Sequence, residues 1–204
     1  MTKLLSFRKS LGRYTTEPMV WLLVRTSVTP NMLTWFGFCL AIVTAVVIVS
    51  GNLLVAGLLV LFSGYFDILD GALARRTDKV TRYGCVLDAT LDRLSEAAVL
   101  FGILVLFVTA KDTSSYSLIS REWAIYLVVI TLIISPLVSY IRARSEASGI
   151  QCEVGIFTRM ERVLLLALGL LINQVVIIIA IIALFSFITC GQRLYYVYKK
   201  TTLL

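Results

Sequence analysis

Long apolar stretches, separated by short polar turns, constrain this chain more than any other feature of its sequence. A helix needs about 20 mostly apolar residues to cross the roughly 30 Å hydrocarbon core of a bilayer, where only helices and closed barrels satisfy their backbone polar groups. With 59% hydrophobic residues, the composition excludes an ordinary soluble domain. The sequence therefore predicts an all-α integral membrane protein with six transmembrane helices, at about residues 31–50, 53–75, 84–109, 123–144, 157–172 and 175–198.

The predicted spans form a single membrane domain over residues 1–204, because no linker or low-complexity segment divides them. Residues 1–30 are expected to form a cytoplasmic and interfacial N-terminal segment. Within it, residues 16–26 are short, begin near a proline and end in Arg25, which is typical of an amphipathic helix lying in the membrane interface. The basic N-terminus lacks the apolar core and cleavage site of a secretory signal, so we expect it to stay on the mature protein.

The basic residues predict which side of the membrane each helix end faces. If the six segments cross in order, 16 of the 19 Lys and Arg lie on one side, whereas Lys111 and Arg121 face the other and Arg93 lies just inside the third span. Cytoplasmic loops are enriched in Lys and Arg, so both termini are expected to be cytoplasmic in a multi-pass plasma-membrane protein. The net charge of +7 is accounted for by a rim that faces anionic lipids, and no nucleic-acid partner is implied. The residues on the basic side are Lys3, Arg8, Lys9, Arg13, Arg25, Arg75, Arg76, Lys79, Arg82, Arg142, Arg144, Arg159, Arg162, Arg193, Lys199 and Lys200.

The sequence lacks the residues that several kinds of catalysis and metal binding need. It contains no histidine, which removes Ser-His-Asp and Cys-His catalysis and His-ligated metals. Its four cysteines are scattered without paired spacing, so they indicate neither a disulfide framework nor a zinc site. A metal site would therefore rest on carboxylates, which favour hard cations such as Mg²⁺ or Mn²⁺.

Two pairs of aspartates interrupt the apolar pattern where the second predicted span ends and the third begins. Asp67 and Asp70 are spaced i, i+3, and Asp88 and Asp92 are spaced i, i+4, so each pair lies on one helix face. A short loop makes the two helices antiparallel neighbours, which allows the four carboxylates to converge. Charges in a membrane helix cost about 2.5 to 3.5 kcal/mol each at its centre and are functional candidates by default. Asp–Arg pairs that brace helix ends are the alternative, but four carboxylates with this spacing favour one or two bound divalent cations.

Other residues of the same stretch suit a phosphate ligand. Gly71 and Gly84 remove side chains where a ligand could approach the backbone, and Arg75 offers a planar donor fork. Carboxylates, metal, glycine and arginine together are suited to holding a pyrophosphate. Phosphoryl transfer needs mainly positioning and charge neutralisation, so no covalent nucleophile from the protein is required.

These residues form one pattern of fixed positions, Asp67-x2-Asp70-Gly71-x2-Ala74-Arg75-x8-Gly84-x3-Asp88-x3-Asp92. The pattern resembles the signature of the CDP-alcohol phosphatidyltransferase family, and "TPNMLT" at 29–34 and the six-span layout are also similar to that family. The resemblance implies an enzyme that transfers a phosphatidyl group from a CDP-linked lipid, usually CDP-diacylglycerol, to a second alcohol and releases CMP. It also implies a homodimer.

The resemblance further implies a role for each motif residue. The four aspartates, Asp67, Asp70, Asp88 and Asp92, would hold two divalent ions, Mg²⁺ or Mn²⁺, and Asp92 would also be the base that activates the acceptor hydroxyl. Contacts with the CDP-lipid are expected from Asn31, Thr34, Asp67, Gly71, Ala74, Arg75 and Thr81.

Arginines at the cytoplasmic ends of three later spans predict where the acceptor binds. They suit a phosphate on the acceptor, although an ordinary positive rim is the alternative. The strings "SYIRARSEASG" and "GIFTRMER" resemble phosphatidylinositol phosphate synthases, which implies inositol 3-phosphate as acceptor. By that resemblance the acceptor-phosphate pocket consists of Ser139, Arg142, Arg144, Arg159, Arg162 and Arg193.

Three alternatives remain open from the sequence. A phosphatidylglycerophosphate synthase would use glycerol 3-phosphate, and an archaetidylinositol phosphate synthase would use an archaeol-based donor. A small cation transporter could also use four aspartates, but transporters commonly bind near the midplane and show internal repeats, whereas these acids cluster at one face.

Overall fold

The computed structural model describes residues 17–110 and 119–202, and these are helical with no strand among them. A short helix, α1, occupies residues 17–24, within the predicted interfacial segment. Six longer helices follow: α2 Pro30–Val49, α3 Leu53–Arg76, α4 Arg82–Thr109, α5 Arg121–Ala147, α6 Arg159–Leu171 and α7 Val175–Thr202. Of the basic residues used to predict orientation, Lys3, Arg8, Lys9, Arg13 and Lys111 lie outside the described residues.

Local sequence signals set the helix ends that carry the candidate site. Thr29 caps α2 by accepting a hydrogen bond from the backbone N–H of Met32, and Pro30 occupies the first turn, where its missing N–H costs nothing. Thr81 caps α4 in the same way. Thr158 and Glu161 form a capping box that fixes the start of α6. These caps define where each helix begins at the polar end of the bundle.

Four of the helices, α2, α3, α5 and α7, are long and apolar enough to cross a membrane. α4 carries Asp92, Arg93 and Glu96 near its middle, which places three charges in its most apolar 18-residue stretch. α6 has 13 residues, or about 20 Å of helix, which is shorter than the hydrocarbon core. The structure thus supports an all-α membrane protein with four candidate spans, two fewer than the sequence predicts.

The helices pack through apolar and small residues. α2 packs against both α3 and α4, α5 packs against α4 and α7, and α6 packs against α3 and α7. Gly102 of α4 lies so close to α2 that a Cβ there would be 2.8 Å from the Cα of Ala45. Such close backbone approach through small residues is typical of membrane helix pairs. Large apolar side chains such as Phe62, Ile133 and Phe187 are exposed on the outside, as expected for a lipid-facing surface.

The arrangement of α3 and α4 differs from simple antiparallel neighbours. Each packs mainly against α2, and they make few contacts with each other along their lengths. A cavity lies beside them, with a lining that includes Ser63 from α3 and Ser95 from α4. The two helices therefore approach at their polar ends, where the aspartates are, and separate further into the bundle.

Candidate metal and phosphate site

Three of the four motif aspartates meet at the polar ends of α3 and α4. One carboxylate oxygen from each of Asp67, Asp70 and Asp88 lies within 4.8 Å of the others. Asp70 is 4% exposed, and its Oδ2 accepts a hydrogen bond of 2.6 Å from the Thr34 hydroxyl of α2. The contact orients Asp70 from a third helix, which is the kind of supporting bond that fixes a metal-ligating carboxylate.

This donor set fits a hard divalent cation. It consists only of carboxylate oxygens, which Mg²⁺ and Mn²⁺ accept. The Oδ1 atom of Asp88 is buried and has no hydrogen-bond partner among the described residues. Buried polar atoms are usually paired, so a buried, unpaired oxygen on one of three neighbouring carboxylates fits a cation ligand.

Asp92 has a different partner in the structure. Its Oδ2 lies 2.6 Å from Nη1 of Arg159, and the same nitrogen lies 2.8 Å from Oδ2 of Asp67. Arg159 is the first residue of α6, directly after the cap Thr158. Its guanidinium therefore lies between Asp67 of α3 and Asp92 of α4. Asp92 is not part of the three-carboxylate group, and its predicted role as fourth ligand and base stays a prediction.

The residues expected to contact the CDP moiety lie at the same end of α2, α3 and α4. A Cβ on Gly71 would lie 3.2 Å from Nη1 of Arg75, so the glycine leaves room for that guanidinium to lie along α3. A Cβ on Gly84 would lie 3.0 Å from Oγ1 of Thr81 and 3.4 Å from Oδ1 of Asn31. Both motif glycines thus make room for polar side chains of the candidate donor site. The full set comprises Asn31, Thr34, Asp67, Gly71, Ala74, Arg75 and Thr81.

A cavity of about 720 Å³ opens beside the aspartates. Its deeper walls are largely apolar and include Val60, Val99 and Leu166. Its polar lining includes residues of both the predicted acceptor site and the aspartate motif. It contains four of the six residues predicted to bind the acceptor phosphate, together with two motif aspartates: Ser139, Arg142, Arg159, Arg193, Asp67 and Asp92.

The other two predicted acceptor residues lie elsewhere. Arg144 is exposed and does not line the cavity. Arg162 is 1% exposed and forms a two-pronged ion pair with Glu96, with Nε 2.7 Å from Oε1 and Nη2 2.9 Å from Oε2. Neither Arg144 nor Arg162 is therefore among the residues that line the cavity. Arg162 faces the interior because it lies one helical turn beyond Arg159, on the side of α6 that packs into the bundle.

Glu96 and Ser135 are polar residues of the site region that the sequence interpretation missed. The Ser135 hydroxyl donates a 2.5 Å hydrogen bond to Oε1 of Glu96, so α4, α5 and α6 meet at one buried carboxylate. Glu96 also lines the cavity. The sequence did contain a signal for Glu96, because it follows Asp92 by four residues on the same helix face and directly precedes an apolar run.

Arg193 and Arg142 hold different positions on the cavity wall. Arg193 is 3% exposed, and it donates to the carbonyl oxygens of Val154, at 2.9 Å, and Val138. These bonds tie the segment before α6 to α5 and α7. Arg142 is about half exposed and pairs with Glu146 at 2.8 Å, so it lies at the rim. Arg193 is thus a buried part of the cavity wall, whereas Arg142 lies at the cavity entrance.

Comparison with known proteins gives consistent matches. A family model described as CDP-alcohol phosphatidyltransferase matches residues 27–189. The chain is 36% identical to an archaetidylinositol phosphate synthase of Pyrococcus horikoshii over 179 residues, covering 87% of this chain and 88% of the relative. It is also 36% identical to a phosphatidylinositol phosphate synthase of Mycobacterium marinum over 195 residues, covering 91% of this chain and 80% of the relative.

Solved structures show the same fold. The crystal structure of Mycobacterium tuberculosis phosphatidylinositol phosphate synthase in complex with manganese and citrate matches with a TM-score of 0.80 at 32% identity, covering 90% of this chain and 88% of that one. The structure of the same protein with CDP-DAG bound matches with a TM-score of 0.78 at 32% identity, covering 90% of this chain and 93% of that one.

Proposed function

The chain belongs to the CDP-alcohol phosphatidyltransferase family, and on this premise we propose that it transfers a phosphatidyl group from CDP-diacylglycerol to inositol 3-phosphate. The products are phosphatidylinositol phosphate and CMP. The observation that carries the proposal is one cavity that contains two motif aspartates together with Arg142, Arg159 and Arg193. Those arginines supply guanidinium donors beyond what a CDP-lipid site alone requires, as expected for an acceptor that carries its own phosphate.

The donor would bind at the polar ends of α2, α3 and α4. Asp67, Asp70 and Asp88 would hold a divalent cation, Mg²⁺ or Mn²⁺, and Asp92 would complete a site for two. The bound cation supplies charge neutralisation for the pyrophosphate and for the departing CMP. Arg75 lies beside Gly71 and would add a guanidinium fork to the phosphates.

Further donor contacts are assigned to the polar residues that frame this end of the bundle. Asn31 and Thr81 lie together next to Gly84, and Thr34 reaches the buried carboxylate of Asp70. With Ala74, which is partly exposed on α3, they would frame the cytidine and its pyrophosphate.

In the reaction itself, Asp92 would take the proton of the acceptor hydroxyl. The hydroxyl oxygen forms a bond to the phosphorus that carries the diacylglycerol, and the bond from that phosphorus to the CMP oxygen breaks. Asp92 lies on the wall of the cavity in which the acceptor would bind. A base held within hydrogen-bond reach of its target gives geometric help in addition to proton acceptance.

The acceptor phosphate would be bound by Ser139, Arg142, Arg159 and Arg193, which share the cavity wall. Arg162 is assigned a different role, because its guanidinium is already paired with Glu96 inside the bundle. It would hold α6 in place and so position Arg159. Arg144 stays outside the proposed pocket.

We also propose that all six long helices cross the membrane, with the active site and both termini on the cytoplasmic side of the plasma membrane. α6 starts at the level of Asp67, which it contacts through Arg159. It ends near the start of α3, where Leu171 lies 2.8 Å from a Cβ placed on Gly57. This short helix therefore runs beside the part of α3 that lies between Gly57 and Asp67. The single domain over residues 1–204 remains a prediction from the absence of a linker, and the homodimer remains a prediction from the resemblance. Mass measurement of the detergent-solubilised protein tests the homodimer.

The function is tested by CMP release from CDP-diacylglycerol by the purified protein in detergent with Mg²⁺. Inositol 3-phosphate, glycerol 3-phosphate, inositol and serine are compared side by side, and an archaeol-based CDP-lipid replaces the donor in a parallel series. We expect release with inositol 3-phosphate and little with free inositol. Faster release with glycerol 3-phosphate would support phosphatidylglycerophosphate synthesis instead, and no release with any acceptor would contradict a transferase.

A further inference from the structure

Arg159 contacts the carboxylates and also lines the cavity, so it belongs to both parts of the site. We propose that Arg159 and a divalent cation are alternative partners of Asp67 and Asp92, so that an acceptor phosphate which withdraws Arg159 strengthens cation binding. The inference rests on the proposed function for the identity of the acceptor. It assigns a coupling between the two halves of the site to one side chain.

Arg159 contacts two carboxylates that a bound cation would also use. A single nitrogen, Nη1 of Arg159, lies 2.8 Å from Oδ2 of Asp67 and 2.6 Å from Oδ2 of Asp92. Asp67 also belongs to the three-carboxylate group with Asp70 and Asp88. A guanidinium bonded to these oxygens occupies their lone pairs and repels a second cation. Arg159 therefore opposes full occupation of a carboxylate site that includes Asp67 and Asp92.

The cavity side shows that Arg159 is incompletely bonded where it lies. Its Nε is buried and has no hydrogen-bond partner among the residues that the structure describes. Leaving a buried charged donor unpaired is unfavourable, so a second acceptor for this guanidinium would stabilise it. Arg159 lines the same cavity as Arg142 and Arg193, where an acceptor phosphate would present oxygens.

Replacing Arg159 by a cation at Asp67 and Asp92 needs only a movement of the Arg159 side chain. The start of α6 is fixed by the capping box of Thr158 and Glu161, and one turn later Arg162 is locked to Glu96. The Arg159 side chain itself is 24% exposed and lies at the N-terminal end of α6. α6 can therefore stay in place while this one long side chain turns from the aspartates towards the cavity.

The coupling must be reciprocal. If the acceptor raises the affinity for the cation by some factor, the cation raises the affinity for the acceptor by the same factor. The cation site would then reach full strength only when the acceptor is present. A rigid brace formed by Arg159 would give no such dependence.

The test measures Mn²⁺ binding to the full chain in detergent without any CDP-lipid, by the electron paramagnetic resonance signal of free Mn²⁺. Titrations are made without acceptor, with inositol 3-phosphate and with glycerol 3-phosphate. In Arg159→Gln we expect Mn²⁺ to bind about tenfold or more tightly without acceptor, from the loss of one charge-assisted contact. We also expect the acceptor to strengthen Mn²⁺ binding in the wild-type protein and to have no effect in the variant.

The exposed Arg76 near the end of α3 provides a matched control. Arg76→Gln also removes one positive charge on the basic side, and we expect it to keep wild-type Mn²⁺ affinity and the wild-type response to acceptor. Arg159→Lys keeps the positive charge without the planar guanidinium, so its Mn²⁺ affinity should lie between those of wild type and Arg159→Gln. Arg159→Lys also keeps the proposal testable if Arg159→Gln folds poorly.

Two outcomes would overturn the coupling: Mn²⁺ binding in Arg159→Gln that is no tighter than in wild type, or a wild-type affinity that neither phosphorylated acceptor changes. A response to glycerol 3-phosphate but not to inositol 3-phosphate would support the coupling and refute the inositol assignment. Because no donor lipid is present, these results are independent of the CMP-release assay.

Discussion

The buried pair of Glu96 and Arg162 allows a quantitative test of how the bundle is held together. Both side chains are almost completely buried, with 1% of Arg162 and 5% of Glu96 exposed, and two short contacts join them. Removing one partner of such a pair leaves an unpaired charge in the interior, which costs about 3–5 kcal/mol. We therefore expect Arg162→Met and Glu96→Leu each to lower the free energy of unfolding by about that amount.

Thermal unfolding in detergent, followed by circular dichroism, measures the effect. For a chain of 150–250 residues, about 1 kcal/mol corresponds to roughly 2–4 °C in Tm, so each single variant should melt about 6–20 °C lower. The double variant Glu96→Leu/Arg162→Met replaces the pair by apolar side chains of similar size. Such replacements are often neutral or stabilising, so the double variant should melt close to wild type or higher.

Two results would refute this reasoning. If Arg162→Met melted like wild type but raised only the KM for the acceptor, Arg162 would contact the substrate directly, as the sequence pattern implies. If the double variant lost as much stability as the two single variants together, Glu96 and Arg162 would not be acting as a pair.

Three further predictions concern the aspartates and the helix packing. Asp88→Asn keeps size but removes charge, so it should abolish Mg²⁺-dependent CMP release while size-exclusion chromatography still shows a monodisperse protein; near-normal activity would contradict the metal assignment. Thr34→Val removes the hydroxyl that supports Asp70 and should weaken Mn²⁺ binding about 10- to 100-fold, with an unchanged affinity arguing against a supporting role. In Gly102→Val the new Cβ would lie 2.8 Å from the Cα of Ala45, so the free energy of unfolding should fall by about 1–3 kcal/mol. An unchanged Tm would show that α2 and α4 can separate at little cost.

The helices and the aspartate group could be predicted from the sequence because both rest on local rules. Apolar runs of bilayer length predict helices, and the spacing of Asp67 and Asp70 places them on one face of α3 whatever the rest of the fold does. The meeting of Asp67, Asp70 and Asp88 then needs only a short connection between α3 and α4. The structure shows these three carboxylates together.

The arginines could not be assigned in the same way, because their partners lie on other helices. Arg159 and Arg162 are three residues apart, yet one contacts Asp67 and Asp92 while the other pairs with Glu96 in the interior. The place of each arginine along α6 decides between these environments, and that place relative to the other helices is set by the packing of α6 against α3 and α7. Hydropathy likewise indicated a span at the position of α6 without showing that the helix has only 13 residues.

The shortness of α6 bears on how the two proposed substrates would reach each other. α6 starts at Arg159, which contacts Asp67, and covers only about 20 Å, so the candidate site lies at one end of this helix. A water-soluble polyol phosphate would arrive by diffusion in three dimensions, whereas the lipid donor would arrive sideways within one leaflet and its product would leave the same way. Turnover should therefore follow the mole fraction of CDP-lipid in the bilayer or micelle rather than its amount per volume. Diluting the donor with inert lipid at constant total donor would slow the enzyme, although every aqueous concentration stayed the same.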